Sequence, residues 1–205
     1  MLNFEDTFIS ESKPYKGHSK RDKFLSRVFG IFSEEIIRIW CASEKSPFVD
    51  LGRPTIYDSD GKGYTLDFLL EDKNGRVFVT EMKCEIEYQK YKYLCLGSSS
   101  QLEHHCGKRA FTLFLELSSE PQKYQVKCKS NHTTPKVAGT ALVWGKVSDE
   151  GRSVVQKQHH ISYVISLESV INDLQNWGDD EYLNFIQEYR GWSEELFGGL
   201  LGKYT

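Results

Sequence analysis

The sequence predicts a mixed α/β fold in which one β-sheet is covered by helices on both faces. Three observations predict it. The stretch "RDKFLSRVFGIFSEEIIRIWCA" repeats apolar residues at helical spacing. Residues 64–85, "YTLDFLLEDKNGRVFVTEMKCE", form two apolar runs around Asn74-Gly75, a strong hairpin signal. Those runs are apolar at successive positions rather than alternating, which is the pattern of strands covered on both sides.

The 205 residues contain no repeat, no low-complexity tract and no Pro- or Gly-rich linker, so they read as a single domain. Aromatic residues at 13% argue against disorder. The net charge of −3 excludes binding to nucleic acid by overall charge, so such a partner needs a local basic patch. Five cysteines, at 41, 84, 95, 106 and 128, are an odd number with no CxxC pair. This argues against a disulfide framework or a zinc module, and reduced thiols in the cytoplasm are expected. No signal-peptide core and no membrane-length apolar run is present.

The elements are justified in order. Residues 1 to 20 are polar, carry Pro14 and Gly17, and are expected to be a loose lead-in. A helix is expected over 21–42, slightly weakened by Gly30. "SEKSPFVDLGRP" is a connection, 55–57 a strand, and "DSDGKG" a turn. The hairpin follows, with two registers open. A two-residue loop pairs Asp67 with Met82 and sends Asp67 and Glu81 to opposite faces. A three-residue loop, Lys73-Asn74-Gly75 with Gly75 left-handed, pairs Asp67 with Glu81 and puts Asp67, Glu81 and Lys83 on one face. "CEIEYQKYKYL" is expected to be helical, resuming through "QLEHHCGKRA". The run 111–117, "FTLFLEL", has the length of a buried strand. "PQKYQVKCKSNHTTPK" is basic and loop-like, "AGTALVWGKV" and "HHISYVISL" are strands, and "LESVINDLQNW" and "DDEYLNFIQEYRGWSEELFGGLL" are closing helices.

Charges inside apolar strands are costly unless they have a task. Two neighbouring carboxylates repel each other and favour a hard divalent cation. Mg²⁺ would take oxygens from Asp67, Glu81 and the backbone carbonyl of Met82. It would supply an acidified water and neutralise phosphate charge, which is what phosphodiester hydrolysis needs. Lys83, two residues from Glu81, is placed to orient the water or to stabilise the transition state.

The order of elements, with Asp67 in "TLDFLL" and Glu81-Met82-Lys83 in "VTEMKCE", resembles the PD-(D/E)XK nuclease superfamily, which includes many restriction and DNA-repair endonucleases. The resemblance covers about 21–117, leaving about 118–205 as a C-terminal elaboration, and Leu66 stands where the family name has proline. It implies a restriction-endonuclease-like αβββαβ core and a Mg²⁺-dependent deoxyribonuclease, with Mn²⁺ as a substitute ion. DNA is the implied substrate, with RNA left open, and a homodimer or partner proteins in a larger system are compatible with it. Family members often carry a glutamate on the preceding helix, here Glu34 or Glu35. A helical wheel puts Glu35 among Val28, Phe32 and Ile39, which favours Glu35. Family members also use polar residues on the helix after the motif, which would be Gln89 and Lys90.

For gripping phosphates the sequence offers Lys123, Lys127, Lys129, His132 and Lys136 beside Tyr124. A second group is Lys13, Lys16, Lys20, Arg21 and Lys23. The pairs His104-His105 and His159-His160 lack zinc spacing and are expected at the surface or at caps. No nucleophile-elbow sequence is present, and Cys84 has no evident base, so a Ser or Cys hydrolase is poorly supported. The alternative in another class is a nuclease-like domain that binds nucleic acid or a protein and cuts nothing.

Overall fold

The hairpin register is set by a side chain. Asp72 accepts the backbone N–H of Asn74 and of Arg76, at 2.9 and 3.0 Å. Gly75 takes φ of 71°, where a side chain is disfavoured, and its N–H bonds to the carbonyl of Asp72 at 2.9 Å. The loop is therefore Lys73-Asn74-Gly75, the three-residue form. The computed structural model describes residues 3–8, 20–84, 93–128 and 133–202.

In chain order the elements are α1 (Phe4–Phe8), α2 (Lys20–Ala42), β1 (Phe48–Asp50), β2 (Pro54–Tyr57), β3 (Gly63–Thr65), β4 (Phe68–Asp72), β5 (Val77–Lys83) and β6 (Cys95–Leu96). A 3-10 helix, Ser99–His105, follows. Then come α3 (Arg109–Ser119), β7 (Gln125–Cys128), β8 (Val137–Trp144), β9 (Lys146–Val147), α4 (Asp149–His159), β10 (Tyr163–Ser166), α5 (Leu167–Trp177) and α6 (Asp180–Leu200). The fold is mixed α/β. The central sheet has the order β1-β4-β5-β8-β10. β1, β4 and β5 are antiparallel neighbours, while β8 runs parallel to β5 and β10 parallel to β8. Parallel neighbours need a crossover, which α3 and α4 supply. A second sheet, β3-β2-β7, is antiparallel, and β6 and β9 form a small parallel pair.

Alternation along β5 divides the core. Phe78 and Met82 join a cluster with Ile36, Ile37 and Trp40 of α2 and with Val170 and Leu174 of α5. Val77 and Val79 join a second cluster with Phe111, Phe114 and Leu117 of α3 and Val155 of α4. Helices therefore cover both faces, as the apolar strands predict.

Several expectations are corrected. The run 111–117 is helical, not a strand: Phe111, Phe114 and Leu117 bury one face, while Leu115 and Glu116 are only half-buried. An apolar run of this length has no periodicity that separates the two states, and the flanking residues extend it to 11, a helix length. The strand that closes the crossover is β8, so the core reaches past 117. The connection before residue 54 contains β1, and 55–57 lies in the side sheet rather than the central one. The basic stretch contains β7, and α4 lies where no element was expected. Within the supposedly loose lead-in, Phe4 and Phe8 are buried and pack edge-on against Phe29. The helix expected after Cys84 falls largely on 85–92, outside the described residues, and Tyr93 is in a turn.

Candidate functional site

Phe68 pairs with Thr80, so Asp67, one residue further, lies across from Glu81. Alternation then assigns the face. Asp67 follows Leu69, and Glu81 and Lys83 follow Val79, toward α3. The β4–β5 ladder ends at Phe68, and beyond it the Asp67 carboxylate accepts the Met82 N–H at 2.8 Å. The acid thus takes the place of a backbone acceptor and is fixed against β5.

Lys83 bonds through Nζ to Glu81 Oε1 and to the Met82 carbonyl, the latter at 3.2 Å. Its ammonium lies 5.6 Å from the centre of the Phe111 ring, so the first turn of α3 supports it from beneath. Glu81 is only 7% exposed. Burial pushes its carboxyl up to about 7; the neighbouring Asp67 charge and a hydrogen bond with Asp67 add to this, and Lys83 opposes it.

Arg53, in the loop before β2, extends the site. Its Nη2 lies 3.5 Å from Asp67 Oδ1 and 3.5 Å from Glu34 Oε2. Glu34 also meets Arg38 Nη2 at 3.2 Å, and the Arg38 guanidinium lies over the Phe68 ring. Glu35 does not lie on the apolar face. Its side chain is 46% exposed, and it pairs with Arg38 Nη1 at 3.1 Å. The face of α2 buried against the sheet is built on Ser33, Ile36, Ile37 and Trp40, which leaves Glu35 at its margin. The α2 acid linked to Asp67 is Glu34.

Asp67, Glu81 and the Met82 carbonyl are oxygen donors of the kind a hard cation takes. The raised Glu81 carboxyl reflects first its burial and then the Asp67 charge beside it. Among the described residues no group of three or more His, Cys, Asp or Glu could hold a metal. Mg²⁺ needs only one or two carboxylates, with waters and substrate oxygens completing its shell. In this structure the Met82 carbonyl and one Glu81 oxygen are taken by Lys83.

The other site residues are more dispersed. Lys127 is exposed on β7, its ammonium 5.0 Å from the Tyr57 ring centre. Lys136 is exposed just before β8. Lys123 is paired with Glu116 at 2.9 Å. Gln89, Lys90, Lys129 and His132 lie outside the described residues, as do Lys13 and Lys16. Arg21 bonds to the Phe8 carbonyl and Asp22, which docks α1 and leaves it less suited to phosphate. A cleft of about 390 Å³ opens on the side sheet between Tyr57, Asp58, Lys123 and Tyr124, and neither acid lines it.

Three residues were missed by the sequence reading. Arg53 had no signal, because nothing local ties "LGRP" to Asp67. Phe111 was assigned to a strand, which hid its role under Lys83. His105 was expected near the surface yet is 1% exposed, packed on Phe111 and Trp144. Burial lowers its imidazole to about 4, with the charges of Lys83, His104 and Lys108 contributing. Comparison of the chain with models of known families, with characterised proteins and with solved structures gives no match.

Proposed function

We propose that this chain is a Mg²⁺-dependent nuclease that hydrolyses phosphodiester bonds in DNA. The observation that carries the proposal is the pairing of half-buried Asp67 with buried Glu81 across the hairpin, with Lys83 beside them on the same face. The central sheet supports it: leaving aside β2, β3, β6 and β7, which lie outside it, α2, β1, β4, β5, α3 and β8 follow the αβββαβ order of the PD-(D/E)XK resemblance. Asp67, Glu81 and the Met82 carbonyl would hold the ion, which supplies an acidified water and neutralises phosphate charge. Asp67 is oriented for this by the Met82 N–H. A cation held there would favour the ionised form of Glu81. Lys83, supported by Phe111, holds an ammonium where negative charge develops on phosphate. Glu34 and Arg53 position Asp67, and Lys127 and Lys136 are the described candidates for phosphate contact.

The test is cleavage of supercoiled and single-stranded DNA in Mg²⁺, Mn²⁺ or EDTA, beside Lys83→Ala. Cutting that needs the ion and is lost in the variant is expected. Undiminished cutting by the variant would remove Lys83 from the mechanism.

One observation favours a second reading. Lys83 and Arg53 already compensate both acids, as they would in a nuclease-like domain that binds a partner and cuts nothing. Calorimetry with Mn²⁺ separates the two, since heat of binding lost in Asp67→Ala belongs only to the first.

A further inference from the structure

We propose that α6 and the first half of α2 form the interface of a two-fold homodimer. Ten large apolar side chains are exposed among the described residues: two, Phe24 and Ile31, lie on α2, and seven lie on α6 and its C-cap. Val49 is the remaining one. Singly exposed apolar residues are ordinary, but a set gathered on two adjacent helices marks an interaction surface. Trp192, Leu196 and Leu200 stand at successive turns of α6 and are 55%, 60% and 75% exposed. A cleft of about 690 Å³ is lined by Glu195, Leu196, Gly199 and Leu200. A Cβ built on Gly199 meets nothing within 4 Å, so the cleft is open there to an incoming side chain.

The occupant is argued from charge and direction. Phe24 packs near Phe197, and Phe32 near Phe185 and Tyr189, so α2 and α6 run antiparallel. The exposed side of α2 carries Lys20, Lys23 and Arg27, while α6 exposes Glu188, Glu194 and Glu195 against Arg190. One member of the helical pair is basic and the other acidic. A two-fold axis that lays α2 of one copy across α6 of the other joins unlike charges around an apolar centre, which is the self-complementarity an isologous interface requires. A lipid surface fits less well, because α6 and its C-cap, with seven of the ten exposed apolar side chains, carry acidic residues, whereas a helix lying on an anionic membrane carries basic ones. α6, about 30 Å long, and the first half of α2, about 17 Å long, each about 10 Å wide, present on the order of 470 Å², the size of a weak, concentration-dependent interface beside the roughly 800 Å² per partner of a stable complex.

Sedimentation velocity on the full chain at tens of micromolar tests this. The expected mass is twice the chain's 23.7 kDa. Leu196→Glu and, separately, Ile31→Lys change exposed positions, so circular dichroism should stay unchanged while dimer affinity falls about 30-fold or more, as for an interface hot spot. The pairing is tested by charge reversal: Lys23→Glu/Arg27→Glu and Glu188→Lys/Glu195→Lys should each weaken self-association, and a mixture of the two should restore it. A wild-type monomer at these concentrations, a dimer unaffected by either apolar variant, or a monomer that sediments with anionic vesicles would overturn the proposal.

Discussion

Replacing Glu81 by Gln separates what the buried acid costs the fold from what it does for the chemistry. In the folded chain the Glu81 carboxyl is held at about 7 against an ordinary 4.5. The gap of about 2.5 pH units, at 1.36 kcal/mol each, corresponds to about 3 kcal/mol as an upper limit. The side chain is 9% exposed, so solvent screening removes little of it. The sign follows from the direction of the shift. A carboxyl raised in the fold favours folding while it is protonated, and that advantage is lost as pH rises from its ordinary value through about 7. Wild-type stability should therefore fall across this window in a way that Glu81→Gln does not reproduce. Urea unfolding in EDTA, repeated from about pH 4.5 to about pH 8, should show the variant gaining up to about 3 kcal/mol on the wild type. Asp58, Asp72 and Glu116, held low at about 2 by their cationic and hydrogen-bonding partners, lose their stabilising contribution only in more acid solution and do so equally in both proteins. Any fixed effect of leaving Lys83 beside an amide is independent of pH and cancels. Saturating Mg²⁺ should then stabilise the wild type and not the variant. A stability difference that stays flat across the window would refute the account of a buried, proton-holding Glu81.

Glu34→Ala should lower cleavage and Glu35→Ala should leave it near wild type, because only Glu34 is joined through Arg53 to Asp67; steady-state rates on plasmid DNA check this. Gly75→Ala should cost about 1–2 kcal/mol in urea titration, since a φ of 71° disfavours a side chain, with the far-UV spectrum unchanged. Phe4→Ala should cost about 3–5 kcal/mol by the same titration, since this ring is 1% exposed and packs against Phe8 and Phe29.

The parts of the fold legible in the sequence were those with a strong local signal. α2 carries a long helical period, and Asn74-Gly75 marks the hairpin, while its register stays open in the sequence and is set in the structure by Asp72 and Gly75. The parts that were not legible depend on partners distant in sequence. β1 is three residues long and is a strand because β4 pairs with it, Val49 opposite Glu71. α3 is apolar at five of the seven positions of "FTLFLEL", which suggests a buried strand, while in the structure it packs as a helix against β5 and β8. Arg53 lies in the loop between β1 of the central sheet and β2 of the side sheet, and meets Asp67 from there. The wheel placed Glu35 inward because Val28, Phe32 and Ile39 are spaced with it, yet the buried ridge of α2 runs through Ser33, Ile36, Ile37 and Trp40.

The cations already at the site suggest how it would handle an ion. Lys83 and Arg53 lie against the two acids, so the fold does not depend on a metal to offset their repulsion. The same contacts set the competition an incoming ion meets. An ion held by Glu81 and the Met82 carbonyl would compete with the Lys83 ammonium for both oxygens. The Lys83 side chain, resting on Phe111, would then be free to offer its ammonium to a phosphate. On this argument ion and substrate assist each other: the ion releases Lys83, and Lys83 adds a charge that the substrate needs. A domain that only binds a partner would gain nothing from such an exchange, so an ion-dependent change in the Lys83 environment is what the proposed hydrolysis requires and the binding-only reading does not.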